Sequence, residues 1–183
     1  MKIRQANSSH DLNEILLLQQ KNAKTALATA EIKEQGFVTV RHSKEQLEKM
    51  QSLVPQIIAE HEKTLIGYAL VMPKALKKSI PVLVPMFDLL DTLVYKGRPV
   101  KDLSFYVMGQ ICIAKEFRGQ GVFQSLYAAH KSFLSKEYDY CITEISTSNL
   151  RSMKAHLNLG FEVLHRFRDP QDEWNIVLWD WTI

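Results

Sequence analysis

Apolar and polar residues alternate over residues 2–6, as in a short strand, and then the rhythm changes. Asn7, Ser8 and Ser9 offer helix-capping side chains before Leu12, Ile15, Leu16 and Gln19, which recur at helical spacing. A second helix is expected over residues 21–33 with Gly36 as its breaker, and a third starts at a Ser43 cap and carries Leu47 and Met50. Each has one apolar face, which places it on the surface of a core. Residues 56–61 and 65–72 are rich in Ile, Leu, Val and Tyr, and Glu62-Lys63 between them reads as the turn of an antiparallel pair.

Pro73, Pro81 and Pro85 punctuate the stretch as far as Leu103, where Met86, Leu89, Leu90 and Leu93 keep helical spacing, so residues 73–103 read as an inserted helical segment. Residues 104–113 lack proline and contain Phe105, Val107, Ile111 and Ile113, the composition of a long central strand. A helix then runs from Val122 through Leu126 and Ala129 to Ser135, and a strand over 138–145 completes a parallel strand, helix, strand unit. Asn149 opens a further helix with Met153, His156 and Leu157, Gly160 ends it, and residues 161–167 and 174–181 supply two closing strands. No internal repeat interrupts the pattern, and residues 1–183 read as a single domain.

Composition narrows the function classes. The chain of 183 residues is 46% hydrophobic and 23% charged, enough for one substantial core. A net charge of +3, spread without blocks of one sign, is too mild for a nucleic-acid surface. Two cysteines, Cys112 and Cys141, without a CxxC pair, indicate neither a disulfide framework nor a zinc site. No apolar stretch follows the first charged residues and no run of eighteen apolar residues occurs, so no metal, no membrane and a cytoplasmic location are the expectations.

The chemistry concentrates where the central strand meets the next helix, at Arg118-Gly119-Gln120-Gly121. Two glycines allow a positive φ and a close anion approach, the first N–H groups of the following helix point at the same place, and Arg118 adds charge. Taken alone the turn is a weak signal. One strand later comes a second group, Asn149 at a helix start and Gly160-Phe161 at its end.

Together these segments resemble the GCN5-related N-acetyltransferase family, which combines an R-G-x-G pyrophosphate loop with a downstream asparagine, a helix and a Gly-Phe pair. The likeness spans most of the chain and departs mainly over 73–103. It implies an α/β (α+β) fold with a central mixed, mostly antiparallel twisted sheet, flanked by helices, whose middle strands splay apart to hold acetyl-CoA. By that resemblance the backbones of Ile111, Cys112 and Ile113 pair with the pantetheine arm, and Arg118, Gly119, Gln120, Gly121, Val122, Phe123 and Gln124 hold the pyrophosphate. Asn149 and Ser152 complete the cofactor site. Two positions depart from the family: Phe123 replaces a glycine or alanine, and His156 stands where many members carry a tyrosine that protonates the leaving thiolate.

The implied reaction moves an acetyl group directly to a primary amine, so a base and an acid are sought. His156 is the candidate acid, provided its imidazole is protonated near neutrality, and otherwise a helix-packing histidine. Glu144 is the candidate base if it faces the gap rather than the other side of the sheet. By period two, Tyr106 and Gln110 share one strand face, with Tyr106 the better core ring. Asn149 doubles as a helix cap. Cys112 is read as a small buried hydrophobe rather than a nucleophile, as is Cys141. Trp174, Trp179 and Trp181 read as core or as the interface of a homodimer. Asp88 and Asp91 are expected to attract a cationic amine, with the insertion as a lid. The competing reading is a non-catalytic acyl-CoA binding or sensing module, which turnover would exclude.

Overall fold

The computed structural model describes residues 1–27, 36–79, 84–170 and 172–183. In chain order these form β1 (Lys2–Gln5), α1 (Ser9–Asn22), α2 (Lys44–Leu53), β2 (Ile57–His61), β3 (Thr64–Met72), α3 (Val84–Leu90), β4 (Val94–Tyr95), β5 (Arg98–Pro99) and β6 (Phe105–Ile113). There follow α4 (Val122–Leu134), β7 (Tyr140–Ser146), α5 (Leu150–Leu159), β8 (Glu162–Arg168) and β9 (Glu173–Asp180).

Seven strands make one sheet in the order β1-β2-β3-β6-β7-β9-β8. Every neighbouring pair is antiparallel except β6 and β7. That single parallel contact follows from the connection: α4 carries the chain back across the sheet between the two strands. The ends of the elements obey local chemistry. Ser8 accepts from the Asp11 N–H (3.1 Å), Ser43 and Gln46 form a reciprocal capping box, and Glu62 and Lys63 turn the β2–β3 hairpin with φ of 49° and 65°.

The two sheet faces bury separate apolar clusters. On one, Ile15 of α1, Leu47 and Met50 of α2 and Phe87 of α3 pack with Tyr68, Leu70, Val107 and Ile142. On the other, Leu126 and Tyr127 of α4 pack with Tyr106, Met108, Cys141, Phe161 and Trp181. No described helix is long and apolar enough to cross a membrane.

Three expectations change. The helix expected over 21–33 does not begin at Lys21: α1 continues to Asn22, Ala23 then turns extended (ψ 138°) to bridge Val38, and only a short 3-10 turn, Lys24–Ala26, follows. Residues 28–35 lie outside the described residues. The insertion is not purely helical, since β4 and β5 form a hairpin about Lys96 and Gly97. Finally, Tyr106 and Gln110 lie on opposite faces. Between Leu70/Gln110 and Val71/Met108 the register shifts, leaving Gly109 as an extra residue in β6. One inserted residue inverts the in–out phase of everything beyond it, so Tyr106 packs under α4 while Gln110 bonds Gln19 of α1.

Candidate active site

β6 and β7 pair at only three positions, Phe105 with Tyr140, Tyr106 with Cys141 and Val107 with Ile142, and both strands continue beyond them unpaired with each other. The strands part at Met108, whose carbonyl accepts a hydrogen bond from Thr143 Oγ1 (2.8 Å). On the far side of β6 the Ala114 N–H donates to the Ile66 carbonyl (2.8 Å). Antiparallel alternation therefore points the backbone groups of Cys112 at Tyr68 and those of Ile111 and Ile113 into the open gap.

A cavity of about 260 Å³ fills the mouth of this gap, bordered by Ile111, Cys112, Ile113, Arg118, Gly119, Gly121, Val122, Phe123, Gln124, Asn149 and Ser152. Gly121 is the residue before α4, at φ 80°, and no side chain caps the helix, so its first N–H groups open onto the cavity. A Cβ at Gly119 or Gly121 would meet nothing within 4 Å; glycine is required there for its positive φ, not for space. Arg118 braces the turn: Nε donates to the Ile113 carbonyl (2.9 Å) and an Nη donates to Asn22 Oδ1. The Phe123 ring lies 5.0 Å from both Tyr127 and His156, centroid to centroid, within an aromatic cluster. Gln120 is exposed, turned back on the Glu116 carbonyl (2.7 Å), and does not border the cavity.

Residues 36–40 roof the gap through bonds that reach across the chain. Asn149 Nδ2 donates to the Phe37 carbonyl (3.1 Å) while its Oδ1 caps α5 at the Ser152 N–H (3.3 Å), so the asparagine is both cap and roof anchor. Val38 bonds Asn22 and Lys24 backbone groups (3.0 Å each), and Gln110 Nε2 donates to the Val40 carbonyl (2.8 Å). Lys24 also pairs with Asp172 (3.2 Å), which accepts from Ser146 Oγ (2.8 Å), tying the end of α1 to β7.

A second, inner cavity of about 80 Å³ meets the first at Phe37, Val38, Ile111, Asn149 and Ser152, and extends along the splayed strands to Glu144 and His156. Glu144 faces it, with no hydrogen bond or ion pair among the described residues; burial, and then the charge of Asp169, pushes its carboxyl up to about 8. His156 also borders it. Its Nδ1 lies 2.8 Å from the Ser152 carbonyl, which fixes the proton there, and Nε2 accepts from the Tyr127 hydroxyl (2.7 Å). Burial lowers the imidazole to about 4, leaving it neutral near pH 7 instead of the imidazolium that an acid role supposed. Cys112 and Cys141 are buried, their thiols pushed up to about 12 by desolvation. That is the opposite of an activated nucleophile. Tyr106 is a core ring bonded to His130 Nδ1 (3.0 Å).

The gap thus gathers Ile111, Cys112, Ile113, the Arg118–Gln124 turn apart from Gln120, Asn149, Ser152, Glu144 and His156 from four separate elements. Asp88 and Asp91 border neither cavity and are paired with lysines: Lys77 with both (2.6 and 3.3 Å) and Lys74 with Asp91 (3.3 Å). Sequence reasoning missed Phe37, Val38, Asn22, Thr143 and Met86. No local pattern marks them, but the glycine inside β6 was a readable sign of a bulge.

A mostly antiparallel sheet split at its one parallel pair, with a glycine turn and a bare helix start at the mouth, is the architecture of the GCN5-related N-acetyltransferases, and the chain has that fold. It is similar over 100% of its length to the ribosomal-protein-S18-alanine N-acetyltransferase of Escherichia coli (94% of that chain, TM-score 0.67, 12% identity). It is also similar to an N-acetyltransferase of Staphylococcus aureus Mu50 (98% of each chain, TM-score 0.66, 17% identity). A third likeness is to yncA of Salmonella typhimurium, solved with its cofactor acetyl-CoA (99% of this chain and 94% of that one, TM-score 0.64, 14% identity). No family model and no curated protein matches the sequence. At these identities the likeness is one of fold.

Proposed function

We propose that the protein transfers an acetyl group from acetyl-CoA directly to a primary amine. The observation that carries this reading is that two adjoining cavities line the splay, with an uncapped helix start bordering the outer one and an unpartnered carboxyl bordering the inner one. The pyrophosphate would rest on the N–H groups after Gly121 and the pantetheine arm on Ile111 and Ile113. The thioester then lies where the cavities join. The amine nitrogen attacks the thioester carbon, a C–N bond forms, the C–S bond breaks, and the Glu144 carboxylate takes the amine's proton.

The bulge at Gly109 borders the inner cavity and brings main chain rather than a side chain to the wall beside which the tetrahedral oxyanion would form. A thiol with a pKa near 8.5 leaves without strong assistance. His156, neutral, contributes by bonding the Ser152 carbonyl at the junction and accepting from the core hydroxyl of Tyr127, rather than as an imidazolium.

A thermal melt with acetyl-CoA tests the first half of this reading, since ligand at one hundred times its dissociation constant adds about 2.7 kcal/mol. Thiol release across a panel of amines tests the second. The neutral state of His156 also favours a second reading, an acyl-CoA binding or sensing module; binding without turnover on any amine would establish it, and turnover lost in Asn149→Ala would exclude it.

A further inference from the structure

Among the described residues of the segment between β3 and β6, one side chain reaches the inner cavity: Met86 of α3. It is 1% exposed and packs with the apolar cluster that also holds Phe87 and Leu90. The other walls belong to β6, β7, β9, α5 and the roof, whose positions are set by the sheet ladders and by the Asn149 and Gln110 anchors. Met108 also lines the cavity but is fixed in the β6 ladder opposite Val71, whereas Met86 is not part of the sheet. It is unbranched, with several rotatable bonds, on a helix outside the sheet, and is the wall most able to yield.

The inner cavity holds about 80 Å³ against about 260 Å³ outside it. A water-sized group needs roughly 10–15 Å³ of such space, so the inner cavity takes about five to eight of them. The three heavy atoms of an acetyl group, the attacking nitrogen and the carbon that bears it already use most of that. Each further methylene of the acyl chain must displace the acceptor or push back a wall.

We propose that Met86 sets the acyl length the site accepts, confining transfer to acetyl and propionyl groups; this rests on the acetyl-CoA reading above. The insertion is then a selectivity element, and its lysine–aspartate pairs serve to keep α3 in place.

The test is kcat/KM for acetyl-, propionyl-, butyryl- and hexanoyl-CoA with one amine, read as thiol release, in the unaltered protein and in Met86→Ala and Met86→Phe. One methylene in an apolar pocket changes selectivity by about tenfold or more. The unaltered protein should therefore fall about tenfold or more from propionyl to butyryl. Met86→Ala should raise the butyryl-to-acetyl ratio by about the same factor, and Met86→Phe should lower the propionyl-to-acetyl ratio. Should Met86→Ala not fold, Met86→Phe and the profile of the unaltered protein still decide. Equal rates with hexanoyl- and acetyl-CoA, or ratios unmoved in folded variants, overturn the proposal alone. A shift in amine preference with an unchanged acyl ratio also overturns it, by assigning Met86 to the acceptor. No turnover with any acyl-CoA overturns the transferase reading, and this proposal with it.

Discussion

Thr143 Oγ1 donates to the Met108 carbonyl at 2.8 Å, and this one side-chain bond closes the vertex at which β6 and β7 part. Thr143 is 7% exposed and Met108 1%, so the bond is shielded from water. Thr143→Val keeps the shape and removes the donor. The unsatisfied carbonyl should cost about 1–3 kcal/mol in urea unfolding. Acetyl-CoA affinity, measured by calorimetry, should weaken as the vertex loosens.

Gly121 should separate binding from folding. At φ 80° with open space around it, Gly121→Asn, a residue that tolerates the left-handed region, should retain the acetyl-CoA thermal shift. Gly121→Glu sets a negative charge beside the helix start and should abolish the shift. An unchanged shift in Gly121→Glu would remove the helix start from the binding site.

Glu144→Gln should lower kcat by about 10²–10⁴-fold with acetyl-CoA binding intact, as expected for loss of a general base. With a weakly basic acceptor, already neutral at pH 7, kcat/KM of the unaltered protein should climb as pH rises through about 8, where the Glu144 carboxyl ionises. The climb should vanish in Glu144→Gln. A flat profile in both proteins would assign the base elsewhere.

Stability should peak near pH 6.5. His42, His130 and His156 are buried, and desolvation lowers each from 6.5 to about 4. The unfolded chain therefore binds more protons than the folded one between those values, so their contribution is full above 6.5 and is lost as pH falls towards 4. Glu144 acts oppositely: raised from 4.5 to about 8, it is better protonated when folded, and its contribution is lost as pH climbs through that window. Three histidines outweigh one carboxyl below 6.5, and the carboxyl acts alone above it. Thermal midpoints across pH 4–8 check the shape, and Glu144→Gln should flatten the upper limb.

Much of the frame was legible because it depends on neighbours in sequence. The Glu62-Lys63 turn, the Ser8 and Ser43 caps, the long run of β6 and the strand, turn, helix order about Gly119 and Gly121 each follow from interactions spanning a few residues. The Lys21 boundary failed for the complementary reason. Helical periodicity continues past Asn22, but the backbone of Val38 captures Ala23 and Lys24 there, and no pattern near Lys21 announces a partner so far along the chain.

Sequence by itself determined which residues can serve: two glycines that accept positive φ, a carboxyl on β7, a histidine on α5 and a capping asparagine before it. Tertiary structure alone decided what each of them is. The extra residue at Gly109 sent Gln110 to the roof instead of the Tyr106 face, and the splay at Met108 turned Ile111 and Ile113 to the gap. The desolvation that raises Glu144 also leaves His156 neutral. Register, splay and desolvation are sums over partners from distant parts of the chain, and they exist only once the sheet has closed around them.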